Sequence, residues 1–176
     1  METKKQIELI DYLLSQVSKN DKLFCKPVIE HLLNLGYSPE KQIKTKFFVV
    51  KFAKNNRLIA KFEVPKEKDG ITQLLFCLRF SACENYTKIF QDAAGNRCTA
   101  WIKRNEYWLD HNIENCCGNC KGEPRFYRFN DNAGNKIRRC GGQTTPVAGI
   151  TSDDVPETIR LIDEQDLYFK NFLIGN

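Results

Sequence analysis

Apolar residues recur at helical spacing near the start of the chain. Ile7, Ile10, Leu13, Leu14 and Val17 fall on one face, which predicts an amphipathic helix over residues 5–18. Asn20 and Asp21 end it. Pro27 suits the first turn of a second helix with apolar positions Val28, Ile29, Leu32, Leu33 and Leu35, and Gly36 supplies the left-handed residue that stops it.

The period then changes. Residues 46–53 (KFFVVKFA) and 57–64 (RLIAKFEV) are rich in aromatic and β-branched side chains, and Lys54-Asn55-Asn56 between them forms a short turn whose asparagines tolerate positive φ. This pattern predicts a β-hairpin. Pro65 and the charged KEKDG stretch close it, and residues 71–80 (ITQLLFCLRF) read as a third, largely buried strand. Three antiparallel strands with an apolar face need a cover, and the flanking helices are available for it.

Residues 84–93 and 99–114 carry weaker helical patterns, divided by Gly95, Asn96 and Arg97. Residues 125–130 and 135–140 form a second hairpin candidate around Asp131-Asn132-Ala133-Gly134. In the last segment, Thr151, Ser152, Asp153 and Asp154 offer capping oxygens and Pro156 suits a first helical turn. Ile159, Ile162, Phe169 and Phe172 trace one helix face. The expected fold is α+β: N-terminal helices packed on a small antiparallel sheet (residues 1–114), a cysteine-rich knuckle and hairpin (115–142), and a linker with a C-terminal helix packing back on the body (143–176).

Composition narrows the class. Of 176 residues, 41% are hydrophobic and 28% charged, with a mean hydropathy of -0.48, a balance suited to a globular chain. The opening segment alternates charged and apolar residues instead of presenting the unbroken apolar run of a signal peptide, and no stretch approaches the ~18 apolar residues of a membrane span. A cytoplasmic, reducing setting follows as the expectation, with the cysteines as thiols and no membrane partner. Charge is uneven: residues 1–68 hold 14 basic and 8 acidic groups, whereas residues 151–176 hold 2 and 6. A basic body with an acidic final helix is compatible with intramolecular complementarity.

The eight cysteines fall into two sets. Cys25, Cys77, Cys83 and Cys98 are scattered among apolar segments, as small buried hydrophobes are. Cys116, Cys117, Cys120 and Cys140 are clustered, and Asn115-Cys116-Cys117-Gly118-Asn119-Cys120-Lys121-Gly122 has the compact, glycine-containing form of a zinc knuckle. In such a turn two thiolates face one ion about 2.3 Å away. A hairpin then returns Cys140 toward the knuckle, and Gly141 and Gly142 let the backbone turn beside its sulfur. The arrangement is zinc-ribbon-like, with Zn(2+) as the expected cofactor and Cys117, Cys120 and Cys140 as ligands. Cys116 is the nearest fourth ligand, with His111 and Cys98 as the alternatives. The Cys117–Cys120 spacing also suits a thiol-disulfide oxidoreductase, although Lys121, Gly122 and Pro124 oppose the helix such a site opens.

Other chemistry is sparse. The chain has two histidines, His31 and His111, and contains no GxSxG, GxGxxG or Walker A pattern. A thiolate-rich ligand set is typical of structural zinc, so a non-catalytic binding module for a protein or small ligand is the leading expectation. Nucleic-acid binding is the alternative: Arg125, Arg128, Arg138 and Arg139 interleave with aromatic residues on the hairpin, a combination suited to phosphates and bases. Alternation does not assign the hairpin's faces, because aromatic residues occur at both parities.

Overall fold

The computed structural model describes residues 3–66, 74–104, 126–130 and 136–174. Its first helix, α1 (Lys4–Gln16), opens with a reciprocal cap. The Gln6 amide donates to Thr3 Oγ1 at 3.3 Å and the Thr3 amide donates to Gln6 Oε1 at 2.8 Å. Helix α2 (Lys19–Asn34) begins eight residues before Pro27. Extended backbone at Val17 and Ser18 separates the two helices, and Ser18 Oγ accepts from the Asp21 amide at 3.0 Å. Asp21 therefore belongs to the first turn of α2, where a carboxylate meets the positive end of the helix dipole. Pro27 lies inside the helix and is tolerated there, while the neighbouring Phe24, Cys25, Val28 and Ile29 are buried. Gly36 ends α2 with φ +84°.

Five strands make the main sheet, in the order β1-β2-β3-β4-β7 with every pair antiparallel. They are β1 (Ser38–Ile43), β2 (Phe47–Lys54), β3 (Arg57–Pro65), β4 (Leu75–Leu78) and β7 (Thr145–Val147). The β2–β3 hairpin turns at Asn55 and Asn56, with φ of +50° and +60°, the double positive-φ turn that suits twisted strands. Strand β4 is shorter than the sequence implies, and residues 71–73 lie outside the described set. Strands β1 and β7 were not expected. β1 is polar and buries only Pro39, and β7 is three residues long, so neither carries a strand-like apolar pattern.

The helices cover the sheet face that carries Phe48, Val50, Phe52, Phe62, Phe76 and Leu78. Phe24 of α2 packs edge-on against Phe76 at 5.0 Å, and Phe76 continues to Phe62 at 5.1 Å. Helix α3 (Lys88–Arg104) runs unbroken through Gly95, Asn96 and Arg97, correcting the expected division. Phe90, Ala93 and Ala94 are buried on its first turns, and that burial outweighs the ~1 kcal/mol propensity loss of one glycine. Residues 105–114 lie outside the described set.

Strands β5 (Phe126–Asn130) and β6 (Lys136–Cys140) form a separate two-stranded antiparallel sheet. Helix α4 (Val155–Ile174) follows a single 3-10 turn at Ser152–Asp154, where Asp154 Oδ2 accepts from the Thr151 amide at 2.8 Å. Its buried positions Thr158, Leu161, Ile162, Gln165, Asp166 and Phe169 pack on the body. The α+β class is thus observed, and among the described residues no helix is long and apolar enough to cross a membrane.

Candidate functional site: the cysteine-terminated hairpin

The β5–β6 register is continuous. Phe126 faces Cys140, Tyr127 faces Arg139, Arg128 faces Arg138, Phe129 faces Ile137 and Asn130 faces Lys136. Arms of equal length return the chain to its starting level, so residue 140 sits opposite a residue only six positions after Cys120. Cys116, Cys117, Cys120, His111 and Arg125 lie outside the described residues. Cys98 belongs to α3.

Tyr127 seats the hairpin on the body. Its residue is 1% exposed, and its ring meets Phe80 edge-on at 5.0 Å. Its hydroxyl accepts from the Phe80 amide at 3.3 Å and donates to the Gln143 carbonyl at 3.0 Å, satisfying both roles of a buried phenol. Just beyond Cys140, Ser81 Oγ donates to the Gly141 carbonyl at 3.1 Å. The Tyr127 side chain and the backbone just after β6 are therefore tied to the segment that follows β4. That same segment is held to α4, since the Ala82 amide donates to Gln165 Oε1 at 3.1 Å and Cys83 Sγ donates to the Leu161 carbonyl at 3.3 Å. Sequence reasoning missed Tyr127 as the anchor. Its signal was available only as one parity of an alternating strand, and burial decides which parity faces inward.

The scattered Cys25, Cys77 and Cys83 are buried thiols outside any disulfide. Burial, reinforced by the nearby Asp21 carboxylate, pushes the Cys25 thiol up to about 12. Burial and then Glu164 raise Cys83 as well. Thiols held protonated in this way are poor nucleophiles and poor metal ligands. Among the described residues no group of three or more His, Cys, Asp or Glu is placed to hold a metal. His31 Nε2 lies 2.7 Å from Asp163 Oδ1, joining α2 to α4.

A second polar cluster lies under α4. Asp166, 2% exposed, accepts from the Tyr37 hydroxyl at 2.9 Å and from Lys170 Nζ at 2.6 Å, with Lys54 Nζ at 3.6 Å. Lys54 also donates to the Leu35 carbonyl at 2.6 Å. These contacts join the end of α2, the end of β2 and α4, so the cluster is a structural clasp. A surface counterpart is built on Arg160, which pairs with Glu157 and Glu164 while Glu157 Oε1 accepts from the Thr87 amide at 2.9 Å. The Arg160 guanidinium, opposed by some burial and helped by the Thr87 amide, holds the Glu157 carboxyl below the usual range.

No family model matches the chain, nor does any curated protein or solved structure.

Proposed function

We propose that this chain is a small zinc-binding protein that works as a non-catalytic binding module, with the ion held by Cys117, Cys120 and Cys140 and with Cys116 as fourth ligand, His111 and Cys98 being the alternatives. The register that sets Cys140 opposite Phe126 carries the reading, because it returns the third thiol toward the chain that leaves the Cys117–Cys120 turn. Two further features support it. Gly141 and Gly142 form the turn directly after Cys140, and the Ser81 hydrogen bond to the Gly141 carbonyl fixes that turn on the body. Cys25, Cys77 and Cys83 are occupied as core residues, which leaves the clustered thiols as the set suited to a soft ion.

A thiolate-rich site is closed and structural, so the ion's part is to hold the knuckle against the base of the hairpin. The working surface is then the hairpin itself.

The test is metal content on freshly purified, reduced protein. One equivalent of zinc is expected, lost on Cys117→Ser, Cys120→Ser or Cys140→Ser and retained in Cys25→Ala. A metal-free protein that forms a reversible Cys117–Cys120 disulfide would instead establish the oxidoreductase alternative.

A further inference from the structure

The corner of the main sheet where β1 turns into β2 sets exposed apolar side chains among cations. Ile43, the last residue of β1, is 93% exposed and lies directly opposite Phe48 in the register. Residues paired across strands project to the same face, so Ile43 stands beside the Phe48 ring. Tyr12 of α1 meets that ring edge-on at 4.7 Å and is itself 52% exposed. Lys41, two residues before Ile43, holds Nζ 5.8 Å from the centre of the same ring. Two of the five large apolar side chains exposed among the described residues therefore adjoin one ring.

More cations come from the turn itself, Lys44-Thr45-Lys46. The end of β3 is tied to it, since the Lys66 amide donates to the Lys46 carbonyl at 3.0 Å and Lys66 Nζ donates to the Lys44 carbonyl at 2.7 Å. The nearby carboxylates are already engaged: Glu63 accepts from Lys44 at 2.7 and 2.9 Å, and Glu40 pairs with Lys51 at 2.8 Å. Glu8, one turn before Tyr12, lies 4.0 Å from Lys4. Lys41, Lys46 and Lys66 are exposed, and none of them has a carboxylate partner among the described residues.

We infer that this corner docks on an anionic lipid surface, with Ile43 entering the acyl boundary, Tyr12 at headgroup level and Lys41, Lys46 and Lys66 on the lipid phosphates and carboxylates. A nucleic acid would use the lysines and leave Ile43 in water. An acidic protein would have to supply a pocket shaped for Ile43, whereas a bilayer adapts to it. Tyrosine suits the boundary because one end of its ring is apolar and the other polar. Docking on a surface requires no spanning helix, so the lack of one among the described residues does not oppose it. The inference goes beyond the zinc-binding reading and does not depend on it.

The test is co-sedimentation of the full chain with phosphatidylcholine vesicles, pure or carrying about 30% phosphatidylserine, the content that gives an anionic surface potential. Each lysine near such a surface contributes about fivefold, so three predict a preference of roughly 100-fold for the anionic vesicles. Raising the salt from about 0.05 to 0.5 M should remove most of that preference by screening. Lys46→Gln with Lys66→Gln should weaken binding about 25-fold, whereas Lys46→Arg with Lys66→Arg should keep it, which separates lost charge from lost folding. Ile43→Ser should cost about tenfold and leave the salt dependence intact. Lys26→Gln with Lys88→Gln, an equal change of charge on exposed helix positions elsewhere, should stay within about threefold of the parent. Equal binding to both vesicles, an Ile43→Ser variant that binds like the parent, or a control pair as damaging as the corner pair would each overturn the inference. So would capture of oligothymidylate or polyglutamate as tight as that of the anionic vesicles. Zinc is measured on the same samples: zinc-loaded protein that ignores vesicles ends this inference alone, and metal-free protein that binds them ends the zinc reading alone.

Discussion

Tyr37 and Asp166 are 129 residues apart in the chain and share a hydrogen bond of 2.9 Å in the interior. The phenol donates, and the carboxylate also receives Lys170 at its other oxygen. Removing the acceptor strands a buried hydroxyl and leaves Lys54 and Lys170 without their common anion, whereas removing the hydroxyl deletes one donor of three. Asp166→Ala should therefore destabilise by about 2–3 kcal/mol and Tyr37→Phe by about 1 kcal/mol. Urea unfolding of the two variants checks the order, and equal losses would show that the carboxylate's other partners contribute nothing.

The same burial sets an alkaline limit. Burial and then Asp166 raise the Tyr37 phenol, and burial first raises Cys25 and Cys83. A group whose folded pKa is raised stays protonated in the fold while the unfolded chain releases its proton, so stability is full below the unfolded value and falls above it. For Cys25 the window runs from its ordinary 9.0 to about 12. Stability should decline from about pH 9 upward. Cys25→Ala should flatten the first part of that decline, as followed by circular dichroism at fixed urea.

Glu157 gives the opposite sign. Its carboxyl is lowered, first by Arg160, so it contributes stability above the ordinary carboxylate range that is lost as the pH falls through the folded value. Its side chain is 16% exposed and Arg160's is 37%, so screening keeps the effect modest. Glu157→Gln should lose roughly 1 kcal/mol at pH 7, and the difference should be smaller at pH 3. Thermal melts at the two pH values decide it.

Tyr127→Phe keeps the ring against Phe80 and removes the hydroxyl that the Phe80 amide and the Gln143 carbonyl share. The expected loss is about 1–2 kcal/mol, with faster hydrogen exchange at the Phe80 amide. A variant with unchanged exchange there would show that the ring alone seats the hairpin.

Pro27 offers a gain. Inside a helix proline is about 3 kcal/mol worse than alanine, partly offset by its stiffening of the unfolded chain, which is worth up to ~1 kcal/mol. Pro27→Ala restores a donor to α2 and should raise stability by about 1–2 kcal/mol in urea unfolding.

The legible parts of the fold were those where local chemistry and burial agree. Asn55 and Asn56 mark the β2–β3 turn because few residues other than glycine and asparagine adopt positive φ readily, and Phe48, Val50 and Phe52 recur at every second position on the face the helices cover. Pro27 and Gly95 misled because the cost of each inside a helix, a lost amide donor at Pro27 and extra backbone freedom at Gly95, is outweighed by the buried neighbours on α2 and α3. β1 was silent because an edge strand needs one buried side, and here that side shows only Pro39. At the hairpin the two arms were readable from the sequence, but their faces were not. Phe126, Tyr127 and Phe129 occupy both parities, and only the burial of Tyr127 breaks the tie. The pairing of the clustered thiols with Cys140 stays a matter of sequence spacing, since Cys116, Cys117 and Cys120 lie outside the described residues.

Pro39 has a consequence for behaviour at high concentration. Strand β1 is an end of the five-stranded order, and it is held on one side by β2. An added strand from a second molecule would meet a proline with no amide proton, then the charges of Glu40 and Lys41 on successive faces. Ile43, 93% exposed at the end of the same strand, is the kind of residue that would otherwise invite such stacking. Replacing Pro39 with valine would restore the missing donor, turning a sheet that terminates within one molecule into a template for ordered aggregation.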